Sequence, residues 1–299
     1  VFSIGRIIIN KIIFISCIAL AVGAVLFIIG FAAIGWDFRK LDTVEYTAKT
    51  FSVADGTAID SVEIDVGSFP VVVKSGDAVT LDYYEASNSD VSVGVEGGAF
   101  KVRERMRFEP FRNGLFNIGR FDRYFVLTVG SGVTVKISGS TTDVEFRSAS
   151  YESVTVRSTN ADIGFIDCTL GELSIDSTNL DATFDNCEFG DISVDSVNTD
   201  ITVRNSRGDS LSVKSTNLTS VVEATHCRAV EHRGDNSDIM FDRVATDRLK
   251  VNAVNLDAYI LIDGARSDYL LSAPSEVGPD DKIIDIHAVN KDVELKFTR

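Results

Sequence analysis

A repeat of 19 residues constrains the fold of this chain more than any other feature. Six asparagines follow one another at that interval and a seventh follows after 35 residues: Asn160, Asn179, Asn198, Asn217, Asn236, Asn255 and Asn290. The tripeptide Ser-Thr-Asn ends at three of these positions, so the neighbouring sequence repeats with the asparagine. A fixed period of this length is typical of a solenoid, in which each repeat forms one coil and stacks on the next.

Apolar residues within each repeat predict strands. Around Asn179, alternate positions are apolar at Leu173 and Ile175 and again at Ala182 and Phe184, and most repeats share both pairs. This spacing is the period of a strand with one buried face, whereas a helix needs apolar residues at i, i+3, i+4 and i+7. A third apolar column, eight and ten residues after the asparagine, indicates a further short strand. We therefore predict an all-β, parallel β-solenoid with 19-residue coils.

The same columns extend beyond the asparagine series. Thr141 takes the asparagine position one interval upstream, and residues 62–73 fit the template as a first coil. Between Asn255 and Asn290 the pattern is irregular around Pro274 and Pro279.

The N-terminal sequence predicts one transmembrane helix before the solenoid. Residues 12–36 carry no charge and are long enough to span a bilayer. The run is too long for a typical signal peptide and no small-x-small site follows it, so an uncleaved anchor is favoured over a cleaved signal. Arg6 and Lys11 precede it, which favours a cytoplasmic segment 1–11 and a large domain outside the cell membrane.

The remaining chain divides into three parts. Residues 37–57 form a tether and entry strand, residues 58–123 an N-terminal β region, and residues 124–299 the regular solenoid repeats. Within the second part, the segment 104–123 interrupts the β pattern and combines cationic with aromatic side chains: Arg107, Phe108, Phe111, Arg112, Phe116 and Arg120. It is either a partner-binding loop or a lid over the open end of the solenoid.

An acidic column accompanies the asparagines. Two residues after the asparagine position stand Asp143, Asp162, Asp181, Asp200, Asp238 and Asp257, with Thr219 as the exception. A row of stacked carboxylates could bind cations such as Ca²⁺, or each could accept backbone N–H groups in a turn, which the exception favours. The asparagines themselves could form a ladder of inward amides or a set of turn residues.

The sequence offers no recognisable catalytic constellation. It contains no CxxC, HExxH or phosphate-loop motif, and the three histidines occupy different columns, with His232 in an inward one. Residues that recur in every coil are explained as structure. We predict a protein that is not an enzyme and needs no cofactor or metal. Cys168 and Cys187 fall in one column of adjacent coils, where buried thiols are favoured over a disulfide.

Net charge argues against nucleic acid as a partner. The chain carries a formal charge of −15, and Arg6 and Lys11 are the only charges before residue 37, so the remainder carries −17. Nucleic-acid binding needs phosphate neutralisation by Lys and Arg. The acidity is better suited to keeping an exposed domain soluble.

The segments Ser158–Ile163, Ser196–Ile201 and Ile59–Ile64, together with the single N-terminal span, resemble a bacterial family of membrane-anchored β-strand repeats of unknown function known as putative adhesins. That resemblance implies a surface binding or scaffold module with an unknown protein or glycan ligand. An alternative is a cell-envelope signalling or stress-response accessory that engages another membrane protein. A glycan-active β-helix enzyme is less expected.

Overall fold

The computed structural model describes residues 2–33, 35–36, 45–54, 56–67, 70–87, 89–106, 123–271 and 282–299. These residues belong to two compact units, one containing the α-helix and the other containing all strands and a short 3-10 helix, Arg266–Asp268. Helix α1 spans Phe2–Ala33, so it begins before the predicted start at residue 12. Its segment Ser16–Ala33 is long and apolar enough to cross a membrane, which is compatible with an anchor or a signal sequence.

The regular part of the strand unit is the predicted parallel β-solenoid. Its strands are β8 Val133–Arg147, β9 Ser150–Ile166, β10 Thr169–Asp185, β11 Glu188–Arg204, β12 Arg207–Glu223, β13 His226–Val244, β14 Arg248–Ile262, β15 Tyr269–Leu271 and β16 Lys282–Phe297. β8 to β14 stack in chain order and β16 follows β14, all in parallel. Asn179 lies opposite Asn198, which confirms the register that the 19-residue interval predicts.

Each coil is one long bent strand rather than two or three short ones. β9 to β12 have 17 residues each, because the ladder of backbone hydrogen bonds continues around the bend at the asparagine. The chain turns between coils at a residue with left-handed backbone, such as Asp167 (φ 55°) and Asn186 (φ 55°). Ser148, Asn205, Ala224 and Arg243 repeat this conformation at the same place in their coils. Asn and Asp tolerate it best among residues with a side chain.

Inward side chains form a continuous apolar core. Phe146, Phe165 and Phe184 stack in one column, with ring centroids 4.6 Å and 5.0 Å apart, and none is exposed. Burying each large apolar side chain contributes roughly 1.5–3 kcal/mol before the entropy of ordering is subtracted.

The N-terminal strands complete the solenoid out of chain order. They are β1 Tyr46–Ser52, β2 Ser61–Asp65, β3 Val71–Ser75, β4 Thr80–Ala86, β5 Ser89–Glu96, β6 Ala99–Met106 and β7 Phe125–Val129. β2 and β3 stack in parallel on the two halves of β8, as the template fit of residues 62–73 predicts. β6 and β7 then stack on the outer sides of β2 and β3, while β1, β4 and β5 add antiparallel pairs.

Candidate functional site

Seven asparagine side chains form one hydrogen-bonded ladder along the solenoid. The Nδ2 of each asparagine from Asn179 to Asn290 donates to the Oδ1 of the asparagine on the preceding coil, at 2.7–2.9 Å. The sequence leaves open whether the asparagines form a ladder or serve as turn residues, and these hydrogen bonds decide for the ladder. It is an amide ladder, and the left-handed turn residues lie seven positions further along the chain.

The ladder faces solvent, so of the two alternatives the amide ladder is confirmed but its expected inward direction is wrong. Thr178 and Asn179 are both exposed, which shifts the alternation of inward and outward side chains by one residue at the bend. The buried residue before them is Ser177, whose Oγ lies 3.3 Å from Oγ of Ser196. Because the strand bends between serine and asparagine, the asparagine falls on the outer surface.

The serine of the repeated tripeptide shapes this bend. Ser196 Oγ donates to the backbone carbonyl of Asn198 at 3.1 Å, and Ser215 Oγ makes the same bond to Asn217 at 2.8 Å. A hydroxyl that bonds a carbonyl two residues ahead restrains the backbone locally, because it adds a side chain–backbone hydrogen bond across the bend. The Ser-x-Asn repeat thus positions the amide ladder.

A groove of 1110 Å³ runs along the ladder. Its walls are the asparagine column and the column two residues later, and its floor is the column between them, whose members include buried Leu180 and Leu218. The groove extends from Thr141 to Asp292, across eight stacked coils, which corresponds to about 34 Å at 4.8 Å per coil. We call this surface the amide–carboxylate groove.

The carboxylate wall contains Asp143, Asp162, Asp181, Asp200, Asp238, Asp257 and Asp292, with Thr219 in the same row. Burial raises the pKa of Asp162 and Asp181, and the charges of neighbouring aspartates raise both further. Burial also raises the pKa of Asp143. A raised pKa means that the ionised carboxylate is disfavoured in the folded protein. A ligand with hydroxyl or amine donors would stabilise that ionised form.

The aspartates lie in continuous strands, where Asp162 pairs with Asp181 and Asp181 with Asp200. They are therefore not turn residues, and the described residues provide no hydrogen bond to the carboxylates of Asp162 or Asp181. Within the same ranges, no three His, Cys, Asp or Glu side chains gather in a way that could hold a metal ion. Neighbouring carboxylates share a row instead of converging on a point.

Other residues singled out from the sequence lie away from the groove. His232 is fully buried, as its inward column predicts, and its Nε2 lies 2.9 Å from Oγ of Ser220. Cys168, Cys187 and Cys227 are buried free thiols. The Arg and Phe residues of the segment 107–122 fall outside the described residues, so their role in partner binding stays a prediction.

The groove floor is the part of the site that sequence reasoning missed. The column contains Thr142, Ala161, Leu180, Thr199, Leu218, Ser237 and Leu256, all buried, and ends at Lys291, which is exposed. Its variable character gave no signal, because residues of different polarity fill one position. The Asn-x-Asp spacing was the available clue, since it places one polar side chain before and one after a buried residue.

Comparisons with known proteins identify the architecture. The family model described as Toastrack DUF4097 matches residues 59–217, more than half of the chain. No curated protein matches the chain significantly.

Three solved structures resemble the chain weakly. A putative lipid binding protein from Parabacteroides distasonis is 13% identical, with a TM-score of 0.37 over 85% of this chain and 97% of its own. A putative cell adhesion protein from Clostridium sporogenes is 6% identical, with a TM-score of 0.24 over 85% and 100%. A putative adhesin from Bacteroides fragilis is 10% identical, with a TM-score of 0.35 over 85% and 97%. The sequence match carries the assignment, and this chain belongs to the Toastrack DUF4097 family.

Proposed function

We propose that the protein is a membrane-anchored, extracytoplasmic binding module, adhesin-like in character, whose binding surface is the amide–carboxylate groove. The observation that supports this proposal most directly is the continuity of the groove across eight coils. A recess of that length and regular spacing suits a linear ligand better than a compact one. Helix α1 and the positive residues Arg6 and Lys11 support the anchored orientation.

The chemistry of the two walls favours a polyhydroxyl chain, such as a linear glycan. Each amide in the ladder still has one N–H and one carbonyl lone pair available after bonding its neighbours. The opposite wall presents ionised carboxylates, which only accept hydrogen bonds. Sugar hydroxyls both donate and accept, so they match both walls.

Binding rather than catalysis is the proposed role of this groove. Its polar residues recur from coil to coil, whereas a catalytic site needs a unique set of groups within hydrogen-bond reach of one reacting centre. The ladder also fixes the amides in place, which suits recognition of a repeating ligand.

A binding screen with the full chain in an uncharged detergent tests the proposal. The double variant Asp181→Asn/Asp200→Asn removes two adjacent charges from the groove wall. The matched control, Asp176→Asn/Asp195→Asn, changes two exposed aspartates on the same strands outside the groove. We expect the first variant to weaken binding to immobilised linear glycans about tenfold and the control to leave it unchanged.

Equal effects of the two variants, or no binding to any linear glycan by a folded protein, would refute the groove as the binding surface. The orientation has its own test. Protease added to intact cells should digest residues 46–299, and protection of that region would overturn the extracytoplasmic assignment.

A further inference from the structure

A second recess, chemically opposite to the groove, lies on the sheet formed by β6, β2, β8 and β9. Its volume is 420 Å³, and four cationic side chains line it against two acidic ones. The cations are Arg103, Arg105, Lys136 and Arg157, and the acids are Glu63 and Asp65. We call it the basic recess. A local excess of positive charge is unusual in a chain with a formal charge of −15.

Strand pairing explains how these cations gather. Glu63 on β2 lies between Lys101 on β6 and Lys136 on β8. One strand further, Lys136 lies opposite Thr155 on β9, and Arg157 follows two residues later on the same face. Lys136 and Arg157 are therefore diagonal neighbours, about 8 Å apart at Cα, and both long side chains can reach one small ligand.

One of the two acidic residues is already engaged by cations. Glu63 lies 3.8 Å from Lys101 Nζ and 3.8 Å from Nη2 of Arg103, which is itself one of the four recess cations. The second, Asp65, lies opposite Arg103 and Ser138 on the neighbouring strands, so the recess keeps an excess of two positive charges over its two carboxylates. In contrast, neither Lys136 nor Arg157 has a carboxylate oxygen within 4.0 Å in the described part of the chain. This holds even though Asp176 is the strand neighbour of Arg157.

Cations in the same two columns of later coils behave differently. Lys214, which shares the column of Arg157, lies 2.7 Å from Asp195. Lys250, which shares the column of Lys136, lies 3.7 Å from Glu231. The solenoid therefore pairs cations at these positions elsewhere, and the two in the basic recess are exceptions with open hydrogen-bond donors.

We propose that the basic recess binds a phosphate ester group. Ser138 and Thr155 line the recess between the cations and add hydroxyl donors. A tetrahedral oxyanion can accept from several donors at once, whereas a carboxylate would leave some unused. The Arg157 guanidinium can present two parallel N–H groups to phosphate oxygens, and Lys136 adds a point charge.

Phosphate esters could reach the recess from a soluble metabolite or polymer or from a lipid headgroup. The experiment separates these sources with the full chain in three settings: uncharged detergent, phosphatidylcholine nanodiscs, and nanodiscs that also contain phosphatidylglycerol. Isothermal titration calorimetry with glycerol phosphate measures the affinity of the recess in each setting. If phosphatidylglycerol in the nanodisc weakens glycerol phosphate binding, the lipid headgroup occupies the recess. If the affinity for glycerol phosphate is the same in all three settings, the ligand comes from a soluble source.

The variant Lys136→Gln/Arg157→Gln should weaken glycerol phosphate binding about tenfold or more, since both changes remove charged donors. The matched control Lys214→Gln/Lys250→Gln changes the same columns outside the recess and should leave the affinity unchanged. All four positions are exposed or half-buried, so thermal melting should show native folding. The proposal would be overturned if the wild type bound no glycerol phosphate in detergent, in phosphatidylcholine nanodiscs or in nanodiscs that contain phosphatidylglycerol. Equal weakening in both variants would also overturn it, because it would show attraction by charge alone.

Discussion

His232 provides a quantitative test of how the solenoid core tolerates a polar group. On the neighbouring strands its column contains Val213 and Val251. His232 is fully buried and its Nε2 lies 2.9 Å from Oγ of Ser220, itself a polar exception in an apolar column. Its other ring nitrogen, Nδ1, has no partner among the described residues. The imidazole therefore cannot accept a second proton without a buried charge.

Burial lowers the pKa of His232 from 6.5 to about 4. Above pH 6.5 the histidine is neutral in both folded and unfolded chains, so it does not make stability depend on pH there. Between pH 6.5 and 4 the unfolded chain binds a proton and the folded chain does not, so stability falls as pH falls. For this pKa difference the loss between pH 7.5 and 4.5 is about 2.5 kcal/mol.

The test compares the wild type with His232→Val/Ser220→Ala, which introduces at each position an apolar residue that other coils use in the same column: Val213 and Val251 for the first, Ala182 and Ala258 for the second. Denaturant unfolding of the full chain in uncharged detergent at pH 7.5 and 4.5 gives the two free energies. We expect the wild type to lose about 2.5 kcal/mol more than the variant on acidification. His226→Gln, at an exposed site, should retain the wild-type dependence. An unchanged dependence in the double variant would refute the argument that a buried neutral imidazole is responsible.

Three further changes test the ladder, the acidic wall and the core. Asn198→Ala removes two ladder bonds and should cost about 1–2 kcal/mol, whereas Asn290→Ala removes one and should cost about half as much, both measured by thermal melting. Asp181→Asn should stabilise the protein at neutral pH and low salt, because burial and then the neighbouring aspartates raise the pKa of Asp181. A raised folded-state pKa means that stability is lost as pH rises, so this gain should vanish below pH 3.8 and shrink with added salt. Phe165→Ala should cost about 3–5 kcal/mol in denaturant unfolding, since the ring stacks between two others and leaves a cavity. A loss below 1 kcal/mol would contradict close packing of that column.

Periodicity predicted the solenoid and its register because one column of side chains repeats at every coil. The asparagine interval fixed which residues lie opposite one another, and Asn179 opposite Asn198 confirms it. Apolar alternation also identified the inward residues, including the position of His232.

The groove was not predictable in the same way. Whether an asparagine faces inward depends on where the strand bends, and a bend shifts the alternation without leaving a gap in the pattern. The left-handed residues were hidden because their column contains no glycine and includes Ala224 and Arg243. The layering of β6 and β7 outside β2 and β3 was hidden as well, since sequence order predicts sequential stacking.

The amide ladder gives the solenoid surface a direction. All six bonds have the same sense, with Nδ2 donating toward the N-terminal coils and Oδ1 accepting from the C-terminal side. The amide dipoles therefore add along the solenoid axis instead of cancelling. The N–H groups and lone pairs that the ladder leaves unused also point in a constant direction along that axis. A polymer whose two ends differ would meet unequal environments in its two orientations. The groove should consequently select one polarity of a linear ligand and align every bound chain the same way relative to the N-terminal end of the solenoid.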